Sequence, residues 1–258
     1  MMNATPWTAR WQALVRTTVR VQALRGQAQL LDWLAQPDRP RVLAFINAHA
    51  MNAVVEDARF YEALMAADLV LRDGIGMSLL MSLLNQRPGL NLNGTDLIPR
   101  ILSRFAGAPI ALFGTREPWL THAAQTVVRD FAPEAACVMA DGFRATDEYL
   151  RLAQAHAPAL IILGMGMPRQ EIVALALREA LHQPCLIVCG GAILDFLGGR
   201  MPRAPKVLRS LGLEWAWRLA REPRRLFQRY VVGNPMFIGR ALRLASLGWP
   251  RLPIQGLR

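Results

Sequence analysis

Asp73 is the carboxylate best placed to take a proton. It ends the apolar run Leu69-Val70-Leu71-Arg72 and precedes Gly74-Ile75. Partial burial among such neighbours raises a carboxyl pKa and favours general-base work. An aspartate at that point also serves as a helix cap, and the residues alone leave both roles open. Other apolar runs end in turns of similar chemical richness: Asn47 with His49, Gly114-Thr115-Arg116, Asp141-Gly142-Phe143, the stretch Gly164 to Glu171, and Gly190-Gly191 with Asp195. The turn Gly164-Met165-Gly166-Met167-Pro168 lacks the third glycine and the acidic partner of a dinucleotide fingerprint. A glycine turn opening a helix at Pro168 suits a phosphate better, with free backbone N–H groups and Arg169 and Gln170 beside the anion. A plain strand-to-helix turn is the competing reading. Asp195 suits a base or a ribose hydroxyl, or equally a turn cap.

Several chemistries lack their residues. There is no P-loop lysine motif, no HExxH, no Cys/His cluster and no Asp-x-Asp pair; His49, His122, His156 and His182 are scattered. No metal and no cofactor is therefore expected, and a nucleotide-sugar enzyme, if this is one, should work without a divalent ion. Three cysteines (Cys137, Cys185, Cys189), none in a CxxC pair, read as buried free thiols of a reducing compartment. Arginines interrupt the N-terminus before any signal-like apolar stretch, and no segment reaches the ~20 apolar residues of a membrane span.

Charge divides the 258-residue chain unevenly. Residues 1–199 carry 17 basic and 17 acidic side chains, whereas residues 200–258 carry 13 basic and 2 acidic, which is the whole net charge of +11. Twelve of those 13 are arginine, interleaved with Trp215, Trp217, Phe227 and Tyr230. Arginine–aromatic mixtures serve nucleic acids and anionic lipid surfaces alike. The preference for arginine over lysine favours planar recognition of a phosphate or diphosphate.

The elements that must position these groups alternate along the chain. Short apolar runs at 42–47, 67–72, 109–114, 136–140, 159–164 and 186–190 predict strands. Helix-length segments at 51–66, 76–85, 95–106, 117–131, 147–156 and 168–182 separate them. Continuous apolar strands between helices predict an α/β fold: a mostly parallel Rossmann-like sheet with helices on both faces, plus a basic helical C-terminal appendage. Ligands of such sheets sit beyond the carboxyl ends of the strands, where the polar turns fall. The predicted organisation is an N-terminal helical segment (1–40), a catalytic core (41–199) and an Arg-rich membrane-associating appendage (200–258), divided where Gly198-Gly199 and Pro202 to Pro205 punctuate the chain.

Five motifs in order resemble the WecG/TagA/CpsF glycosyltransferases. They are Asn47-Ala48-His49; Asp68 through Arg72-Asp73-Gly74-Ile75-Gly76; Asn93-Gly94-Thr95-Asp96; Gly164-Met165-Gly166-Met167-Pro168-Arg169-Gln170-Glu171; and Arg203-Ala204-Pro205 with Gly212-Leu213-Glu214-Trp215, Arg218, Glu222-Pro223 and Arg229-Tyr230. The resemblance implies an inverting, metal-independent transferase. It would move a hexosamine, hexose or uronic acid type of sugar from a UDP-sugar to a polyprenyl-diphosphate-linked sugar, for teichoic acid, capsule or exopolysaccharide. Its place would be cytoplasmic, peripheral on the inner face of the plasma membrane. By the same resemblance Asp73 is the base. The nucleotide-sugar site comprises Asn47, Gly74, Asn93, Gly94, Asp96, Gly164, Gly166, Arg169, Gln170 and Asp195. Arg218, Arg225 and Arg229 meet the acceptor diphosphate or an anionic membrane surface. No nucleic acid is expected as partner, and a homo-oligomer is compatible. Two positions depart from the family pattern: Phe45 where many members carry threonine, and Asn91 where many carry arginine. The alternative from another class is a nucleic-acid- or partner-binding protein that uses the basic tail without catalysis.

Overall fold

The computed structural model describes residues 6–249. Six parallel strands, β1 (Pro40–Ile46), β2 (Leu69–Arg72), β3 (Ile110–Gly114), β4 (Cys137–Ala140), β5 (Leu160–Gly164) and β6 (Cys185–Cys189), form one open sheet in the order β2-β1-β6-β5-β3-β4. The fold is α/β and Rossmann-like, as the apolar runs predict. Side chains alternate between two apolar layers. Val42, Ala44, Ile46, Ala111 and Phe113 join Trp11, Met51, Phe60 and Tyr149 on one face. Leu43, Phe45, Ile110 and Leu112 join Leu30, Leu34, Leu97 and Ile101 on the other. A parallel sheet is stable only when both faces are so covered, and this is why its strands read as unbroken apolar runs. The edge strand β4, partly exposed at three of its four positions, is the exception.

Register decides which turns meet at the carboxyl edge. Ile46 lies opposite Arg72, so the chain leaves β1 and β2 side by side at Asn47 and Asp73. Gly114 lies opposite Gly164 at the ends of β3 and β5. A Cβ on Gly114 would sit 2.4 Å from the carbonyl carbon of Gly164, so no side chain fits where these two ends converge.

Three local features differ from the sequence-based expectation. The segment 51–66 is two helices, Ala48–Glu56 and Ala58–Ala66, because the Asp57 carboxylate accepts from Phe60 N (2.9 Å) and starts a new helix. The helix Trp119–Thr126 finishes in a π-helical turn at Val127–Phe131. The N-terminal segment divides into helices Trp7–Thr17 and Leu24–Ala35, and between them Val19 bridges to Leu71 on the open edge of β2. The run Thr17-Thr18-Val19 is β-branched, suits an extended backbone, and covers an edge that would otherwise be unpaired. Residues 1–5 and 250–258 of the expected terminal segments lie outside the described residues.

The basic region folds as helices Lys206–Ser210, Glu214–Arg221, Pro223–Phe227 and Gly233–Ser246, with a π-helical turn at Gln228–Val232. The last helix buries Phe237, Ala241 and Leu244 in the first apolar layer, and Phe237 stacks on Trp11 with ring centroids 5.3 Å apart. Asn52 clamps it by donating to Gly233 O (2.7 Å) and accepting from Arg240 (2.9 Å).

Candidate active site

At the β1–β2 end, Asn47 has two tasks. Its Oδ1 accepts from Ala50 N (3.1 Å) and caps helix Ala48–Glu56, while its amide group donates to the Asp73 carboxylate. Asp73 occupies the N-cap position of helix Gly74–Leu83, yet its side chain makes no capping bond. Gly74 N donates instead to Asn91 Oδ1 at 3.2 Å. Asp73 is half-buried, and desolvation pushes its pKa above the usual carboxylate value; Arg229, the Asn47 hydrogen bond, Arg218 and Arg72 pull the other way. A proton acceptor with a raised pKa, held by an amide and faced by guanidinium groups, is what a general base requires.

Two arginines of the basic region close over this carboxylate. Arg229 is half-buried, its pKa lowered by desolvation, and its charge acts on both Asp73 and His49. Arg218 packs 5.7 Å from the centroid of Phe196 and also faces Asp73. The Nε atoms of Arg218 and Arg229 are buried with no hydrogen-bond partner. His49, depressed to about 4 by burial and then by Arg229, is neutral at ordinary pH. Glu214 also faces the group: burial raises its pKa, Arg203 and Arg218 lower it, and Asp73 and Asp96 raise it further. Arg225, by contrast, is half-exposed and pairs with Glu222.

Helix Gly94–Leu102 begins beside this group. Asn93 caps it, accepting from Asp96 N (2.9 Å) and donating to Asp96 Oδ2 (2.7 Å). Asp96 also ties down the basic region through Arg203 (2.7 Å) and Arg209 (3.7 Å). Burial resists the Asp96 charge, but Asn93, Arg203 and Arg209 outweigh it and hold its pKa below the usual value. Gly94 lies over the Phe45 ring, where a Cβ would stand 3.6 Å from the ring edge. A cavity of about 480 Å³ opens on the far side of Arg203, between Thr95, Ile193, Phe196 and Met201, and its walls include neither Asp73 nor Asp195.

The β3–β5–β6 end is built differently. Asp195 Oδ1 accepts from Thr115 Oγ1 (2.5 Å) and from Arg200 (3.1 Å). Gln170 is buried, and both ends of its amide are occupied: Oε1 accepts from Gly191 N (2.9 Å) and Nε2 donates to Glu171 (2.8 Å). Glu171, also buried, is pushed up to about 7 by desolvation, against the Gln170 hydrogen bond. Arg169 stays exposed and donates to the carbonyl of Arg144. Gly166 and Gly191, at φ +79° and +61°, face open space at the rim. All three cysteines are free, two of them buried, and among the described residues no three His, Cys, Asp or Glu converge as metal ligands.

Geometry thus groups the expected residues in three sets: Asn47, Asp73, Gly74, Arg218 and Arg229; Asn93, Gly94 and Asp96; and Gly164, Gly166, Gln170 and Asp195. Exposed Arg169, bonded to the Arg144 carbonyl, and Arg225, in its pair with Glu222, stand outside them. Residues 15–248 match the model of the Glycosyl transferase WecG/TagA/CpsF family. The chain belongs to that family. It is therefore a glycosyltransferase of cell-surface polysaccharide synthesis, with a sugar donor and an acceptor as substrates. Sequence reasoning passed over Arg72, Glu171 and Glu214 as chemical groups. For Glu171, one sign was present: it sits one residue past Gln170 on a helix face that carries Val173, Ala174 and Leu177 inward.

Proposed function

We propose that this glycosyltransferase moves a sugar from a UDP-sugar to a polyprenyl-diphosphate-linked sugar with inversion, and that Asp73 is the general base. The acceptor hydroxyl gives its proton to the Asp73 carboxylate, and its oxygen attacks the anomeric carbon opposite the UDP. The bond from that carbon to the UDP oxygen breaks, and the leaving electron pair stays on the diphosphate. Arg218 and Arg229 supply positive charge for the diphosphates, the kind of preorganised stabilisation that dominates such steps. The glycine rim at Gly164–Gly166 and Gly191, with Arg169 and Asp195, holds the nucleotide. One observation carries the reading: the Asp73 carboxylate makes no capping bond, is held by Asn47 and is faced by two arginines.

We place the acceptor at a membrane surface. Val207, Leu211, Phe227, Val231 and Val232 are exposed apolar side chains among Arg209, Arg221, Arg224 and Arg225, and this composition favours an anionic lipid interface. No helix among the described residues is long and apolar enough to cross a membrane.

The test is UDP release from a panel of UDP-sugars, with and without a polyprenyl-diphosphate-sugar acceptor, in EDTA, for wild type and Asp73→Asn. Acceptor-dependent release from one donor, lost in the variant, is the expected result. No release from any donor by folded wild type would reject the reading in favour of a binding protein that uses its basic region.

A further inference from the structure

Two glycine turns form the rim of the β3–β5–β6 end, Gly164–Gly166 after β5 and Gly190-Gly191 after β6. One residue joins them. Gln170 donates from its backbone N to Gly166 O (3.1 Å), and its side-chain Oε1 accepts from Gly191 N (2.9 Å). Both turns are thereby tied to the first turn of helix Arg169–Ala180. The second of them leads straight into the short helix Ile193–Leu197, which carries Asp195. Gln170 is only 1% exposed, so its amide acts on these turns and does not meet a bound molecule.

A side-chain amide fits its site in two orientations, and its partners choose between them. A backbone N–H can only donate, so Oε1 must lie at Gly191, and Nε2 then needs an acceptor. Glu171 Oε1 supplies one at 2.8 Å. A carboxyl group keeps an accepting oxygen whether or not it carries a proton. Glu171 is otherwise a costly residue for this place: it is 2% exposed, and its other oxygen, Oε2, is buried without a hydrogen-bond partner. An apolar side chain of similar size would fill the space without that cost. What it would lack is the oxygen turned to Gln170.

We propose that Gln170 and Glu171 are positioning residues for the nucleotide: Gln170 sets the two glycine turns relative to each other, and Glu171 holds the Gln170 amide the right way round. This rests on the reading of the glycine rim as the nucleotide site, but the claim about the turns can be measured without a nucleotide.

The test compares wild type with Glu171→Met, which fills the space and removes the acceptor, and with Glu171→Gln, which again offers an oxygen to Gln170. Amide hydrogen exchange is read by NMR on the free proteins, and UDP affinity by calorimetry. In free wild type the Gly191 N–H should be protected, although it lies beyond the end of β6. In Glu171→Met it should exchange at least about tenfold faster while the amides of β6 keep their protection, and UDP should bind about tenfold more weakly. Glu171→Gln should bring both quantities to within about threefold of wild type. A Gly191 N–H that exchanges freely in wild type overturns the proposal without any variant. So does unchanged Gly191 exchange in folded Glu171→Met, or a Glu171→Gln as impaired as Glu171→Met. Faster Gly191 exchange with UDP affinity unchanged overturns it too. Exchange that responds as expected, in a protein whose wild type binds no UDP, sustains the coupling of the turns and rejects the nucleotide reading alone.

Discussion

The two ends of the carboxyl edge treat their polar groups in opposite ways. At the β1–β2 end, charges are half-buried and incompletely partnered: Asp73 with a raised pKa, and Arg218 and Arg229 each with a buried, unbonded Nε. At the β3–β5–β6 end, most polar groups are engaged with one another, Thr115 to Asp195 to Arg200 and the Gly191 N–H to Gln170 to Glu171, although Glu171 Oε2 is buried without a partner. Buried polar groups left without partners cost stability, and a fold keeps them where they act on something else. Groups already bonded in the protein are held still and suit binding. In the proposed function, the first end carries the chemistry and the second retains the nucleotide, on one continuous edge.

The largest effect expected is at Asp73. Asp73→Asn should lower turnover by about 10²–10⁴ with UDP affinity nearly unchanged, as loss of a general base does; a parallel loss of UDP affinity, read by calorimetry, would dissolve the contrast. Next comes the buried acid of the other end. Glu171 titrates near 7 when folded, above its ordinary 4.5, so the folded state holds the proton more tightly and stability falls as pH rises between these values. In Glu171→Gln the stability difference between pH 5 and pH 8, measured by urea unfolding, should shrink by on the order of 2–3 kcal/mol. An undiminished pH dependence would show that Glu171 is not the group responsible.

Arg229→Met sharpens the first end. Burial raises the Asp73 pKa and Arg229 opposes it, so removing the cation should raise it further. The acid limb of the kcat/KM profile should move to higher pH, with activity at pH 7 down by roughly tenfold; a limb that stays put would detach Arg229 from the base. The smallest effect is at Thr115→Val, which deletes one hydrogen bond to Asp195. UDP should bind about fivefold more weakly, the value of about 1 kcal/mol for such a bond, with kcat preserved. A loss of kcat instead would move chemistry to the second end.

Much of this was legible in the residues. All six strands were: five because a parallel strand buried on both faces is an uninterrupted apolar run of the right length, and β4 because it is such a run despite its partial exposure. Asp73 and Asn47 stood out because each ends such a run, and Asp195 because it follows the glycine turn after one. The split at Asp57 was not read, since its capping bond to Phe60 competes with a helical pattern that runs on through 51–66. The surroundings of Asp73 could not be read from its neighbours in sequence, because Asn91, which accepts from the Gly74 N–H, is 17 positions away, and the arginines that face it lie far along the chain. The departures at Phe45 and Asn91 acquire structural tasks: the Phe45 ring lies under Gly94, and Asn91 Oδ1 accepts from Gly74 N and from Arg72.

By itself, then, the sequence determined the α/β class, the polar carboxyl edge and the neutral body with its cationic end, since these depend on periodicity and composition. Tertiary structure alone decided that Arg218 and Arg229 face Asp73 while Arg225 pairs with Glu222, although all three arginines lie within twelve residues. The reason is geometric: helix phase and the docking of Phe237 against Trp11 set which side of the basic region faces the sheet. Burial then makes a charge consequential there, where water no longer screens it.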